Sequence, residues 1–274
     1  MQEYSRRVIR EVHIGRSRTE TPLYLHPFTT HEISAPTAFN QSCRVLVAAS
    51  LRCATALAGQ SAPTPLRDHL DPCRLQVRRD SFIVVIRGAP RGWQVLSTAR
   101  DGAGWLLGDT LSIAGMVSQS SVIRFDSGLD ETSLRQEGTM MGKPMRITLD
   151  VSGLRVTGVA LTPINPSGEL AIDAARTPGL IDDNAVTPLL AFVRWRDGFA
   201  ASFPVLLSGK GTVTDFSVRT LGLEQVTIPA GQFDTWRVEL QMGQARMVAN
   251  VTTAAPYRIV RMSNGPAFEM QLIR

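Results

Sequence analysis

From Arg74 onward, apolar and polar side chains alternate with a period of two. Met145, Ile147, Leu149 and Val151 point one way, while Arg146, Thr148 and Asp150 point the other. Trp236, Val238, Leu240 and Met242 alternate with Arg237, Glu239 and Gln241, and Phe268, Met270 and Leu272 with Glu269 and Gln271. Such alternation reads as half-buried antiparallel strands, apolar side in and polar side out. Further strands are expected near 80–87, 92–99, 105–113, 119–126, 133–140, 155–161, 168–174, 202–208, 212–219, 223–229, 246–252 and 257–262. Between them stand Ser127-Gly128, Ser152-Gly153, Pro166-Ser167-Gly168 and Asn264-Gly265-Pro266, which is turn chemistry. About fifteen short strands at such spacing predict a single all-β domain over 74–274. Links this short forbid parallel pairing, which needs crossovers of about a dozen residues. The expected architecture is a strongly curved antiparallel meander sheet, a half-barrel or open barrel, with one short helix.

The helix is expected over 182–192. Ile181-Asp182-Asp183-Asn184-Ala185-Val186-Thr187-Pro188-Leu189-Leu190-Ala191-Phe192 breaks the alternation, with Asp182 or Asp183 as its N-cap. Pro188 is expected to be tolerated only near the first turn.

Upstream the pattern changes. Residues 1–43 show no sustained period and read as an over-extended start or disordered leader. Arg44 precedes a short apolar stretch that ends in Ala56-Leu57-Ala58, so 44–58 reads as a signal peptide with a mature chain beginning near residue 59. Residues 59–73 hold Pro63, Pro65 and Pro72 and read as a Pro-rich spacer, whose deletion with the leader is expected to leave a folded domain. No apolar run reaches the roughly 18 residues of a membrane-spanning helix. Neither Cys43 nor Cys53 follows the small residues that precede a lipid-modified cysteine. Cleavage after Ala58 would leave Cys73 alone, a free thiol or an intermolecular link.

The residue census narrows the chemistry. His13, His26, His31, His69, Cys43, Cys53 and Cys73 are all the histidines and cysteines of the 274 residues, and all lie before Arg74. The main body thus lacks the imidazole of a Ser-His-Asp triad, a thiol nucleophile and the usual zinc ligands. Carboxylate chemistry and hard-cation binding survive. No cofactor and no metal are expected. The net charge of +5 is spread with both signs interleaved, as in Arg237-Val238-Glu239. A nucleic-acid binder would concentrate its cations, and the one cluster, Arg6 to Arg18, lies in the leader. Nucleic acid is not an expected partner.

One stretch carries a resemblance. Val226-Thr227-Ile228-Pro229-Ala230-Gly231-Gln232-Phe233-Asp234-Thr235-Trp236-Arg237-Val238-Glu239, with Thr252-Thr253-Ala254-Ala255-Pro256-Tyr257 after it, resembles a family of exported bacterial proteins of unknown function. Glu137-Gly138-Thr139-Met140-Met141-Gly142 also looks like that family's middle region. The resemblance spans roughly 74–274. It implies a periplasmic or cell-envelope protein whose curved sheet is similar to the half-barrels of lipoprotein carriers and wraps a short helix. It implies no catalytic residue.

Specific constellations are few. Asp182-Asp183-Asn184 suits a helix cap better than a calcium loop, since no closing Glu follows. Met140 and Met141 place adaptable apolar side chains on an expected hairpin loop, and Trp195 and Trp236 are candidate lining residues of a concave cavity. These four are the candidate binding residues. The expected function is a non-catalytic envelope protein that binds an apolar small molecule or lipid, or an envelope protein, in the concave face. The alternatives are a carboxylate-based glycan hydrolase and a purely structural scaffold.

Overall fold

The period-two segments become strands in the computed structural model, which describes residues 65–165 and 167–274. In chain order they are β1 (Arg78–Ile86), β2 (Ala89–Asp101), β3 (Gly104–Ile113), β4 (Val117–Phe125), β5 (Glu131–Met140), β6 (Lys143–Ser152), β7 (Arg155–Leu161) and β8 (Glu169–Ala175). A two-residue β9 (Ile181–Asp182) leads into the helix α1 (Asp183–Leu189). The rest are β10 (Ala200–Leu207), β11 (Thr212–Ile228), β12 (Gly231–Met242), β13 (Ala245–Thr252), β14 (Ile259–Ser263) and β15 (Phe268–Leu272). All fifteen form one sheet in the order β8-β7-β6-β5-β4-β3-β2-β1-β15-β14-β13-β12-β11-β10-β9, so β8 and β9 are its two edges.

The sheet curls until those edges approach each other. Asp182 of β9 donates its backbone N–H to Glu131 Oε2 of β5 at 2.9 Å. Thr162, just past β7, donates its hydroxyl to the Gly209 carbonyl after β10 at 3.3 Å. A methyl group added at Gly211 would stand 3.1 Å from Leu170 Cδ2 of β8. Residues at opposite ends of the hydrogen-bonded order can meet only if the sheet bends back on itself, which also hides its apolar face. The open-barrel expectation holds, with the seam between β8 and β9.

The concave side is filled from within. Ala185, Leu189, Leu190 and Phe192, from α1 and the 3₁₀ turn after it, are buried in one cluster with Phe82, Leu107, Ile123 and Val205 of the sheet. Of the two N-cap candidates in the sequence, Asp182 caps α1, accepting the Asn184 N–H at 2.9 Å. Pro188 differs from expectation: it lies beyond the first turn. The cost is limited because the α-helix ends one residue later and passes into the 3₁₀ turn Leu190–Phe192.

Three further readings are corrected. The strands expected at 212–219 and 223–229 are one strand, β11, with a register shift between Thr220 and Gly222. A bulge leaves one residue unpaired without ending the ladder. The pairing of β9 with β10 is parallel, through Ile181↔Val205 and Asp182↔Leu206, because the helical connection between them supplies the long crossover that parallel strands need. Finally, residues 65–73 are no spacer. Leu66 and Leu70 are buried, Leu70 bridges Val193, and Asp71 N–H donates to the Phe192 carbonyl at 2.8 Å. The His69 ring packs edge-on against Phe199 at 5.1 Å, and Arg74 Nη1 donates to the Val193 carbonyl at 2.7 Å. This segment closes one end of the sheet, so deletion through residue 73 removes part of the core. The expected leader and signal segment lie outside the described residues, as do residues 59–64.

Candidate functional site

The four residues singled out by sequence do not converge. Met140 ends β5 and Met141 stands in the following turn, 67% exposed, at φ 50°. Trp195 is buried in the core, its indole N–H donating to the Leu190 carbonyl at 2.9 Å and its ring edge-on to Phe199 at 5.1 Å. Trp236 is half-buried in the wall of the sheet, opposite Leu223 and Val251. Apolar type alone gives no direction, so Trp195 and Trp236 became packing, Met140 a strand end and Met141 a turn. Cys73 is exposed and free.

The structure assembles three carboxylates at the seam instead, Glu131 and Asp182 buried and Asp183 exposed. Glu131 opens β5, Asp182 ends β9 and Asp183 starts α1. Glu131 Oε2 holds the Asp182 N–H. Asp182 Oδ1 accepts from the Asn184 backbone and side-chain N–H groups at 2.9 and 2.7 Å, while Oδ2 has no partner. Asp183 Oδ1 accepts from the Ser208 hydroxyl at 3.2 Å. Burial pushes the Glu131 carboxyl up to about 7; the Asp183 charge adds to this, while the Asp182 N–H and Arg176 oppose it. Burial, then the charges of Asp183 and Glu131, raise Asp182 well above the carboxylate range. Burial also raises Asp183, against the hydrogen bonds from Ser208. Acids so close together titrate as a coupled set rather than one by one.

The space beside them is small. A partly open void of about 10 Å³ is lined by Glu131, Leu149, Val156, Arg176, Asp182 and Leu206. That is room for one water molecule. A glycosidase pair flanks a bound sugar and needs a cleft on both sides of the reacting bond. Here Glu131 and Asp182 face only that small void. They can bind a proton or a water and join the two sides of the seam. Among the described residues, no group of three or more His, Cys, Asp and Glu side chains stands in metal-binding geometry.

A half-buried acid, Asp109, lies on the concave face of β3. Gln94 Nε2 donates to both Asp109 carboxylate oxygens at 2.8 and 2.9 Å. Burial pushes Asp109 up to about 6, and the Gln94 hydrogen bond opposes this. Asp109 was legible in principle, since it interrupts the inward row Trp105, Leu107, Leu111, Ile113. Glu131 offered no such signal: it follows a turn, and its partner is 51 residues away.

A family model described as "Protein of unknown function (DUF3108)" matches residues 79–272. Among solved structures, the crystal structure of a beta-barrel-like protein of a domain of unknown function (DUF1849) from Brucella abortus is similar to the chain at 11% identity. The match covers 73% of this chain and 98% of that one, with a TM-score of 0.47. No curated protein matches the chain.

Proposed function

The chain belongs to the DUF3108 family of proteins of unknown function, and from that premise we propose an exported, non-catalytic envelope protein. Its curved sheet is a self-filled scaffold that acts through its outer surface.

The observation that carries this reading is the occupant of the concave face. Ala185, Leu189, Leu190 and Phe192 sit where an apolar ligand would sit, and the void left at the seam is about 10 Å³. Pockets for small molecules run to roughly 300–1,000 Å³. Of the three roles expected from sequence, the scaffold fits best. Binding in the concave face would require α1 to leave, which would expose its buried apolar side chains. A hydrolase would need Glu131 and Asp182, both buried, to meet a glycan in a void with room for one water. Export is supported by Arg44, the apolar stretch and Ala56-Leu57-Ala58.

Titration of the full chain with a fluorescent fatty acid tests the reading. No saturable binding is expected; one-to-one binding displaced by unlabelled fatty acid would restore the concave-face ligand. N-terminal sequencing of envelope-fraction protein is expected to begin near residue 59. An intact Met1 chain confined to the cytoplasm would refute export.

A further inference from the structure

We infer that the end of the sheet opposite the Leu66–Arg74 segment docks on an anionic lipid bilayer. This rests on the reading that the protein works through its outer surface, and goes beyond it by naming the surface and the partner.

Topology gathers one set of turns there. Because β1 to β8 are antiparallel to their neighbours, the turns at 87–88, 114–116, 141–142 and 162–168 share one rim. The ladders from β15 to β10 bring the turns at 264–267, 243–244 and 208–211 to the same end. Contacts between turns confirm the ring: Arg87 N–H donates to Ala267 O at 3.3 Å and Met141 N–H to Met116 O at 2.6 Å.

The chemistry of this rim is one-sided. Arg87, Arg91, Lys143, Lys210 and Arg246 are all exposed on it. None of them forms an ion pair among the described residues, although most other arginines of the sheet do. The chain has no lysine besides Lys143 and Lys210. None of the seven turns contains Asp or Glu. The nearest acids are Asp183, whose carboxylate accepts from Ser208 of the 208–211 turn, and Glu169 and Glu269, which are neutralised by Arg146 and Arg261. At the other end acids are interleaved with the cations: Arg67 and Arg176 share Asp130 and Arg124 pairs with Asp101, while Arg79, Arg194 and Arg196 are exposed without an ion pair among the described residues.

Apolar tips stand among the free cations. Met116 and Met141 are neighbours at adjacent turns, and Ile164 projects from the loop after β7; all three are exposed. An open hollow of about 570 Å³ lies beside Arg87, lined by Val85, Pro266 and Glu269 among others. Cations around exposed apolar tips suit the headgroup boundary of a bilayer, where charge meets phosphate and the tips reach the acyl region. A folded acidic partner would need polar complements to the tips, and a nucleic acid would favour stacking aromatics. Each cation near an anionic leaflet strengthens binding roughly fivefold, and salt screens the effect.

Co-sedimentation of the full chain with vesicles tests the proposal. Binding to phosphatidylcholine–phosphatidylglycerol vesicles is expected, with little to phosphatidylcholine alone and a steep fall with salt. The double change Lys143→Glu, Lys210→Glu is expected to weaken binding at least about tenfold. Met141→Glu is expected to weaken it several-fold, and Met141→Leu to retain it. Arg79→Glu, an exposed change at the opposite end, controls for net charge and for the leader arginines, and is expected to bind as the unaltered chain does. No binding to the anionic vesicles, or binding indifferent to the rim changes, overturns the proposal. Equal capture by polyglutamate, with Met141→Glu unaffected, overturns it in favour of an acidic protein. Either failure leaves the fatty-acid titration, and with it the filled interior, untouched.

Discussion

The backbone N–H of Asp182 donates to the Glu131 carboxylate at 2.9 Å, and this bond joins edge strand β9 to β5 across the opening of the sheet. The same Asp182 caps α1, so one residue fixes both the seam and the start of the helix that fills the interior. A sheet open between β8 and β9 would otherwise present free backbone groups, which favour pairing with other chains. Closure here comes from side chains rather than from a ladder, and it carries buried acids as a consequence.

Stability is therefore expected to fall as the pH rises from about 4.5 to about 7. Glu131 is raised from 4.5 to about 7 in the folded chain, so the folded state holds a proton that the unfolded chain releases. The state that binds more protons loses ground as pH rises. Glu131→Gln keeps an acceptor for the Asp182 N–H and removes the ionisable group. Its unfolding profile should be flatter over this window and more stable at pH 8, by up to about 3 kcal/mol. Denaturant unfolding across pH checks this, and an unchanged slope would assign the buried proton elsewhere.

Truncation separates two versions of the N-terminal boundary. A chain starting at residue 65 should unfold as the full chain does. A chain starting at residue 74 loses Leu66 and Leu70 from the core. Leu66→Ala alone should cost about 2–5 kcal/mol, as for other fully buried leucines. Equal stability of the two truncations, measured by thermal unfolding, would return residues 65–73 to the status of a spacer.

Legibility in the sequence followed the range of the interaction. The strands and the Asp182 cap were readable because both depend on neighbours a few residues away. The long β11 was read as two strands because the unpaired residue at Leu221 shifts the phase of the alternation. Residues 65–73 were misread because their 3₁₀ turns are too short to show a period, and only Leu66 and Leu70 point inward. The seam acids were illegible, since nothing local brings residue 131 to residue 182. Trp195 and Met141 show the same limit: both are large and apolar, and tertiary packing decided which was buried.

Gly211 is expected to tolerate no side chain. It adopts φ 65°, a conformation that disfavours any Cβ, and an added methyl would press on Leu170 of the opposite edge. Gly211→Ala should lower stability by about 1–2 kcal/mol, with increased proteolysis at β8. Gly243→Ala, at φ 56° with open space around it, carries the backbone cost alone and serves as the comparison.

Asp109 and Gln94 should behave as a unit. Asp109→Ala leaves the Gln94 amide buried without its acceptor and should cost about 1–3 kcal/mol. Replacing both with Leu should recover much of that loss, giving a coupling energy in a double-mutant cycle. Additive effects would show that the Gln94–Asp109 contact does not form.

The filled interior is tested most directly by hydrogen exchange of the α1 amides in the full chain. The account predicts that Val186, Thr187 and Leu189 exchange as slowly as the central amides of β3 and β4, with or without added fatty acid, because α1 leaves the concave face only when the sheet unfolds. Exchange of α1 orders of magnitude faster than those strands, and faster still on adding fatty acid, would mean that the helix opens as a lid. That result would contradict the self-filled scaffold.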